Sequence, residues 1–313
     1  SGSGAATTAA VGSTLIPQLK ARGYDEDQSA ALIAAAGTIG VVIPPSVPMV
    51  LYAVAAGQGV TINALFTNGF GPGILMGAIL IAIALVQAYK RNYPKGDRVV
   101  LLRVLKTFLK AIPGLIMPAI ILGGIFSGVF TASEAAAVAV VYALFVSFFV
   151  YRDMTPAQLF EIMKGSAKTS AVIMIIIACS GPFGWVLASY GIPDAIASAI
   201  LGVSTNKYIL MFLIALVIII AGIFMETSSA IIILTPVFLP LVNGIGVDLV
   251  HFGVMFVVGI AIGMITPPVA INLFVASGVT GKPIELIAKA VVPYLIGLLF
   301  VFILIVYLPL FFP

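Results

Sequence analysis

The residues of this chain best suited to hold a charged ligand fall in two stretches built from the same parts in the same order. The first begins with the small, hydroxyl-rich run Ser1-Gly2-Ser3-Gly4-Ala5-Ala6-Thr7-Thr8, continues through an apolar arm to Pro17, and is followed by Gly23-Tyr24-Asp25 and Gly40-Val41-Val42-Ile43-Pro44-Pro45. The second begins with Glu226-Thr227-Ser228-Ser229, reaches Pro236, and is followed by Gly246-Val247-Asp248 and Gly263-Met264-Ile265-Thr266-Pro267-Pro268. Gly23 and Gly246 are 223 positions apart, and so are Gly40 and Gly263. Hydroxyls and free carbonyls at such tips make an oxygen cage suited to a hard cation such as Na⁺, and Gly tolerates the positive φ that tight tips require. Proline has no N–H, so carbonyls one turn before each Pro pair lose their helical partner and become available as ligands. A tip and an interruption from the same repeat therefore have the makings of one Na⁺ site, giving two related sites. Gly, Pro, Ser and Thr also serve as kinks and packing residues in membrane helices, but duplication at equal spacing favours the site.

The elements that position these residues are membrane helices. Of the 313 residues, 62% are hydrophobic and 8% charged, and the mean hydropathy is +1.24. A soluble domain carries about 25% charged residues, so the fold class expected is an all-α integral membrane protein. Short alternating segments of the kind that build outer-membrane barrels are missing from the sequence. Apolar segments are expected at 9–19, 29–56, 70–90, 111–128, 134–151, 168–190, 207–224, 229–242, 251–279 and 290–312. Segments 29–56, 168–190 and 251–279 are expected to be interrupted, at Pro44-Pro45, Gly181-Pro182 and Pro267-Pro268. The arm 9–19 is too short to span, and the pair 207–242 reads as a helical hairpin around Glu226-Thr227-Ser228.

The cations decide how these segments thread the membrane. If 9–19 and 207–242 are re-entrant hairpins that return to the side they entered, one side receives fourteen of the fifteen Lys and Arg residues and the other only Lys207. That asymmetry marks the first side as cytoplasmic. The two hairpins then enter from opposite faces, which makes the repeats inverted, the pattern of a secondary transporter with its site at discontinuous helices. The organisation expected is a first repeat over 1–90 whose N-terminal part precedes residue 1, a basic cytoplasmic linker over 91–110, and a second repeat over 111–313 with the re-entrant hairpin at 207–242 and the broken helix at 251–279. The linker reads either as a solvated connection or as a helix lying on anionic headgroups.

Other residues carry less. Glu134 follows Thr131-Ala132-Ser133 and reads as the acid of a capping box. Glu226 sits at the second tip, where its carboxylate is able to meet a cation or a helix N-terminus. Cys179 lies in an apolar run and reads as a small core residue. His251 falls at a membrane edge without partners for a metal site, and Ser1-Gly2-Ser3-Gly4 has no accompanying base, which weighs against an intramembrane enzyme. The net charge of +4 reads as topology; no basic patch interleaved with aromatics points to nucleic acid. A passive ion or solute channel is the remaining alternative, disfavoured because nothing resembles a filter or a ring of charge.

Ser1 to Pro17, Gly23-Tyr24, Ala34-Ala35-Ala36-Gly37, Ile43-Pro44-Pro45-Ser46-Val47-Pro48-Met49, Phe130-Thr131-Ala132-Ser133-Glu134-Ala135-Ala136-Ala137 and Ile265-Thr266-Pro267-Pro268 together resemble the large membrane (M) subunit of the tripartite ATP-independent periplasmic (TRAP) transporters, within the ion-transporter superfamily. The resemblance covers essentially the whole chain. It implies elevator-type, Na⁺-coupled uptake of an organic acid, for instance a C4-dicarboxylate or sialic acid. It implies a multi-pass protein of the bacterial inner membrane, a periplasmic binding protein that delivers the acid, a small (Q-type) membrane subunit as partner, and no cofactor beyond the coupling ion. Carried onto this sequence, it implies a first sodium site at Ser1, Ser3, Gly40 and Ile43, a second at Thr227, Ser228, Gly263 and Thr266, and a substrate site near Ser3, Thr7, Thr8 and Asn272.

The charge asymmetry makes a direct prediction. With Cys179 replaced by Ala, single cysteines at Asn243 or Asp248 will react with an impermeant thiol reagent added to intact cells. Cysteines at Arg22 or Lys95 will react only after lysis. Labelling at Arg22 from outside would overturn the inverted arrangement.

Overall fold

The computed structural model describes residues 2–57, 59–94, 101–204 and 206–311, and all regular structure among them is helical. In chain order the helices are α1 (Gly4–Ala21), α2 (Glu26–Gly37), α3 (Val47–Ala56), α4 (Ile62–Lys90), α5 (Leu101–Phe126), α6 (Ala132–Phe145), α7 (Pro156–Ser189), α8 (Ile192–Val203), α9 (Lys207–Phe224), α10 (Thr227–Gly244), α11 (Leu249–Gly263), α12 (Ile271–Thr280) and α13 (Ile284–Phe311). A 3-10 turn at Thr38–Val41 follows α2, and a π-helical turn at Val146–Tyr151 follows α6. Many starts are set by a capping oxygen that accepts an otherwise orphan N–H. Ser3 Oγ accepts from Ala6, Ser46 Oγ from Met49, Thr61 Oγ1 from Ala64 and Asp248 Oδ1 from His251.

Among the described residues, seven helices are long and apolar enough to cross a membrane: Ile62–Lys90, Val104–Phe126, Ala132–Tyr151, Pro156–Leu187, Lys207–Phe224, Thr227–Gly244 and Ile284–Leu308. Helices α9 and α10 are among them, so length alone does not separate a hairpin that turns back from a pair that crosses. The helical path is interrupted over 42–46 and 264–270, the stretches that hold the two Pro pairs.

The chain forms two compact units, Ser1–Pro94 with Cys179–Pro313, and Lys95–Ala178. In the larger unit α11 is the core: every residue from Phe252 to Gly263 is buried. Around it Tyr52, Phe238, Phe252 and Phe256 form an aromatic cluster with ring centroids 5.6–6.3 Å apart. Tyr52 is fully buried, and its hydroxyl is satisfied by donating to the Leu249 carbonyl at 2.8 Å. α9 approaches α11 through Gly222 and Gly263, with no side chain between the two backbones. Small residues allow such close approach where lipid gives helices no hydrophobic reason to associate.

The arms after the two tips pack in a crossed pattern. α1 packs on α2 and on α12, while α10 packs on α11 and on α3. Each arm thus touches the helix before the interruption of its own stretch and the helix after the interruption of the other. At one end of the unit, Glu26 bridges Lys20 at 2.5 Å and Lys282 at 3.1 Å, which ties α1, α2 and the α12–α13 connection together. The hydrogen bond from Lys20, then that from Lys282, holds the Glu26 carboxyl below its usual range, so it stays charged as pH falls. Beside it Asp25 accepts from Arg91 at 2.8 Å and from the Tyr93 hydroxyl at 2.7 Å, and Tyr93 stacks on Tyr24.

In the smaller unit α5 packs against α6. Phe130 folds onto Gly124, and the Tyr142 hydroxyl donates to the Pro113 carbonyl at 2.8 Å. α6 opens with the capping box read from the sequence: Glu134 Oε2 accepts from the Thr131 N–H, and Thr131 Oγ1 accepts from the Glu134 N–H.

Three expectations need correction. α7 runs unbroken through Gly181-Pro182, because one Pro removes one hydrogen bond and membrane helices absorb that locally. Residues 192–203, which lie between the expected segments 168–190 and 207–224 and belong to neither, form the 12-residue helix α8, too short to span a bilayer. Cys179 is exposed on its helix, not a core residue; an apolar neighbourhood in the sequence does not distinguish a lipid-facing surface from an interior. Of the expected linker, residues 95–100 lie outside the described residues and 101–110 are the start of α5.

The Gly222–Gly263 contact gives a second prediction. A side chain at Gly222 meets the Ile260 backbone at 2.8–2.9 Å, so Gly222→Val must push α9 from α11. Overpacking of this kind costs about 1–3 kcal/mol, and the purified variant will show a clearly lower thermal midpoint than wild type. An unchanged midpoint would show that the two backbones are not held this close.

Candidate functional site

The first tip lies against the first interruption. Gly2 (φ +73°) has its Cα face towards Val47 and the Pro45 carbonyl, where an added methyl would lie 3.1–3.3 Å from each, and a φ in that region already favours glycine. Ser3 begins α1, and its carbonyl accepts from both the N–H and the hydroxyl of Thr7, at 3.0 and 2.8 Å. The Thr7 side chain packs directly on Gly40, so two residues expected at the site are brought together. Ile43 turns its side chain to Gly73 on α4. Ser1 lies outside the described residues.

The centre of the site is the place where α1, α2, α11 and α12 meet. Thr8 is fully buried and donates to the Gly4 carbonyl at 2.9 Å; its hydroxyl rests on Gly37. A hydroxyl that spends its proton on a carbonyl keeps its lone pairs for a cation or a donor. Asn272, also fully buried, donates through Nδ2 to the Ala34 carbonyl at 3.1 Å, and its backbone N–H donates to the Met264 carbonyl at 3.0 Å. Asn272 Oδ1 is one of two buried side-chain atoms without a hydrogen-bond partner among the described residues; the other, His251 Nε2, belongs to α11. An unpaired buried oxygen costs about 1–3 kcal/mol, so Oδ1 is an acceptor that a bound cation or a ligand donor would satisfy.

The second tip is built around a carboxylate. Glu226 caps α10: Oε2 accepts from the Ser229 N–H at 3.0 Å and Oε1 from the Ser228 hydroxyl at 3.1 Å. Of the two roles open to Glu226, the structure displays the helix N-terminus. Thr227 is buried and its hydroxyl donates to the Met264 sulfur at 3.5 Å. Thr266 donates to the Ile262 carbonyl at 2.8 Å, and Gly263 faces Gly222. So the residues expected at the second sodium site are less gathered than those of the first. Ser228 is engaged by Glu226, and Gly263 by α9.

Met264 is the residue that sequence reasoning missed. Its Cε would lie 2.9 Å from a methyl placed on Gly4 at the first tip, while its sulfur accepts from Thr227 at the second. Gly37 and Ala34 were missed as site residues too; they serve through a bare Cα and a carbonyl, which no side-chain pattern reports. The one available signal was position, since Met264 lies inside the duplicated Gly-x-x-x-Pro-Pro frame.

Taken together, the N-termini of α1 and α3 meet at Gly2 and Val47, those of α1 and α12 at Gly4 and Asn272, and that of α10 contributes Thr227. Helix N-termini carry partial positive charge and free N–H groups that suit an anion, whereas the carbonyl-rich ends of α2 and α11 suit a cation. Among the described residues no three His, Cys, Asp or Glu side chains cluster as a metal site. The polar groups here are hydroxyls, an amide and backbone carbonyls.

Comparison with known proteins places the chain in a family. Residues 1–311 match the family described as tripartite ATP-independent periplasmic transporter, DctM component. The chain is 44% identical over 313 residues to the isethionate TRAP transporter permease protein DctMQ of Oleidesulfovibrio alaskensis, covering 99% of this chain and 48% of that one. It is 42% identical over 309 residues to the C4-dicarboxylate TRAP transporter large permease protein DctM of Pseudomonas aeruginosa, covering 99% of this chain and 72% of that one. It is 36% identical over 312 residues to the sialic acid TRAP transporter large permease protein SiaM of Vibrio cholerae, with the same coverage of 99% and 72%. The chain therefore spans about half the length of the first relative and under three quarters of the others. These relatives are permeases, not enzymes, and with its seven apolar helices the chain is a multi-pass membrane protein that belongs to the DctM component family of the tripartite ATP-independent periplasmic transporters.

Proposed function

We propose that this chain carries the ion and substrate sites of a Na⁺-coupled symporter for an organic acid in a bacterial inner membrane. In this reading a periplasmic binding protein delivers the acid, a small Q-type subunit partners the permease, and the site is exposed alternately to each side by an elevator-type movement. The relatives named for isethionate, C4-dicarboxylates and sialic acid share an organic anion as cargo, and the relative named DctMQ supports a Q-type partner by its name. The re-entrant course of α9–α10 rests on the distribution of Lys and Arg, and the equal spacing of the two stretches supports inverted repeats.

The observation that carries the proposal is the Asn272 amide, buried between the first tip and the second interruption with its oxygen unpartnered. Thr8 and Asn272 would orient the anion at the N-termini of α1 and α12. Ser3, Thr7 and Gly40 would supply oxygens for one Na⁺, and Thr227, Ser228 and Thr266 for the other. Among the described residues, none of the contacts at this centre involves a Lys or Arg. Neutralisation of the carboxylate would fall to helix N-termini and the co-transported ions, which makes anion affinity depend on Na⁺.

The proposal is tested by uptake into proteoliposomes containing the permease, its small subunit and the cognate binding protein, with labelled succinate, sialic acid and isethionate in parallel. A Na⁺ gradient will drive accumulation above the external concentration; simple equilibration without it would indicate a passive channel. Ser3→Ala and Thr227→Ala will each raise the Na⁺ concentration for half-maximal uptake, by about tenfold for the loss of one charge-bearing contact. Asn272→Ala will abolish accumulation while the thermal midpoint stays near wild type. Unchanged Na⁺ dependence in both tip variants would remove the tips as cation sites.

Glu226 is separable into cap and charge. Glu226→Asp preserves both, whereas Glu226→Gln keeps an acceptor for the Ser229 N–H but removes the charge. If the charge serves transport, Glu226→Gln will slow uptake between pH 6 and 8 without lowering the thermal midpoint, and Glu226→Asp will transport. Equal uptake by wild type and the Gln variant would restrict Glu226 to capping α10.

A further inference from the structure

A cavity lies away from the tips, on the outside of the larger unit between α2, α4 and α13. It is a cleft of about 560 Å³ lined by Gln28, Ile83, Val86, Lys90, Arg91 and Lys289, among others. Its chemistry is divided. One end holds three cations; the wall is the apolar flank of α4 and α13, which continues into the exposed side chains Leu85, Val86, Ile296 and Phe300.

Among the described residues, two of the three cations make no ion pair. Arg91 is paired with Asp25, but among the described residues no carboxylate lies within ion-pair distance of Lys90 or Lys289. Glu26 is shared between Lys20 and Lys282, and Asp27, beside Gln28, and Glu285, four residues before Lys289, make no ion pair with either lysine among the described residues. Gln28 adds an independent sign of a ligand. It is only 9% exposed, it lines the cleft, and among the described residues its side-chain amide makes no hydrogen bond. Gln87, on the same wall, accepts from the Tyr294 hydroxyl at 3.1 Å, which leaves its N–H₂ free to donate. Two amide donors and two unpaired ammonium groups at one end of an apolar cleft match a phosphate carrying acyl chains.

The internal repeat sharpens this point. Shifted by 223 positions, Gln28, Ala82 and Ile83 fall on His251, Ile305 and Val306, and the counterpart of Lys289 is Phe66. The fold is repeated but the cation is not, so the charge belongs to this end alone. By the distribution of Lys and Arg it is the cytoplasmic end, where anionic headgroups attract basic residues.

We propose that this cleft is a binding site for one anionic phospholipid, its phosphate held by Lys90, Lys289, Arg91 and the Gln28 amide and its acyl chains laid along α4 and α13. A bound lipid would join α2, α4 and α13 at the end where Asp25 and Glu26 already make their ion pairs.

The test is native mass spectrometry of the delipidated complete permease titrated with phosphatidylglycerol, with phosphatidylcholine as the zwitterionic control and sn-glycerol 3-phosphate as the headgroup alone. Wild type will retain phosphatidylglycerol in preference to phosphatidylcholine. Each neutralised lysine should weaken that binding about fivefold, the worth of one basic residue near an anionic headgroup, so the double substitution Lys90→Gln with Lys289→Gln will lose it almost entirely. The charge-preserving pair Lys90→Arg with Lys289→Arg will keep it. Equal retention of both lipids by wild type, or undiminished phosphatidylglycerol binding in the Gln pair, would overturn the proposal. Displacement of the lipid by millimolar sn-glycerol 3-phosphate would show a site for soluble anions instead, and would overturn it as well. Should the Gln pair fail to fold, the lipid comparison on wild type and on the Arg pair decides the matter alone.

Discussion

The constraint on which this structure depends is that helix ends in an apolar surrounding must find partners for their N–H and C=O groups. A helix that crosses a bilayer leaves its ends in water. α1, α3, α10 and α12 instead begin among buried residues, and α2 and α11 end there. The protein meets part of the demand locally: Ser3, Ser46 and Glu226 cap their helices, and Asn272 supplies its own N–H to the Met264 carbonyl. Asn272 Oδ1 remains unmet at the meeting of α1, α2 and α12, and that unmet polarity is what a ligand can satisfy. Stability and binding thus draw on the same set of backbone and amide groups.

On the proposed reading, the arrangement also gives a reason for an anion site built without a buried Lys or Arg. A fixed cation at mid-membrane would cost several kcal/mol, and the insertion scale alone gives about 2.5–3.5 kcal/mol at a helix centre. Helix N-termini deliver a comparable attraction to an anion without the permanent desolvation of a full charge. Glu226 is the one full charge at either tip, and its two oxygens are turned to Ser228 and Ser229.

Much of this was legible in the sequence because it was written twice. The 223-residue offset located both tips and both interruptions, and the Thr131–Glu134 spacing gave the capping box. Asn272 and Thr8 entered by family resemblance. What stayed hidden was of other kinds. Met264 bridges the tips through a thioether, and an apolar residue in an apolar run gives no sign of position. Gly37, Gly222 and Ala34 act through close approach or a carbonyl, which depends on what faces them across the fold. α8 is too short for a span criterion, and the exposure of Cys179 could not be read because the outside of a membrane protein is as apolar as its interior.

The crossed packing of α1 on α12 and of α10 on α3 has a consequence for how the chain is made. The hydrogen bond from Asn272 to Ala34 joins residues 238 positions apart, so when the first tip leaves the ribosome its partner has not been synthesised. Until α12 arrives, the first tip has α2 and α3 against it, but the Ala34 carbonyl and the bare face of Gly4 lack the Asn272 side chain that closes over them. Contacts between parts so distant form late, and surfaces waiting for them are vulnerable to wrong association. Neither repeat can complete its half of the site alone, and biogenesis must hold the first arm open until nearly the last helix is inserted.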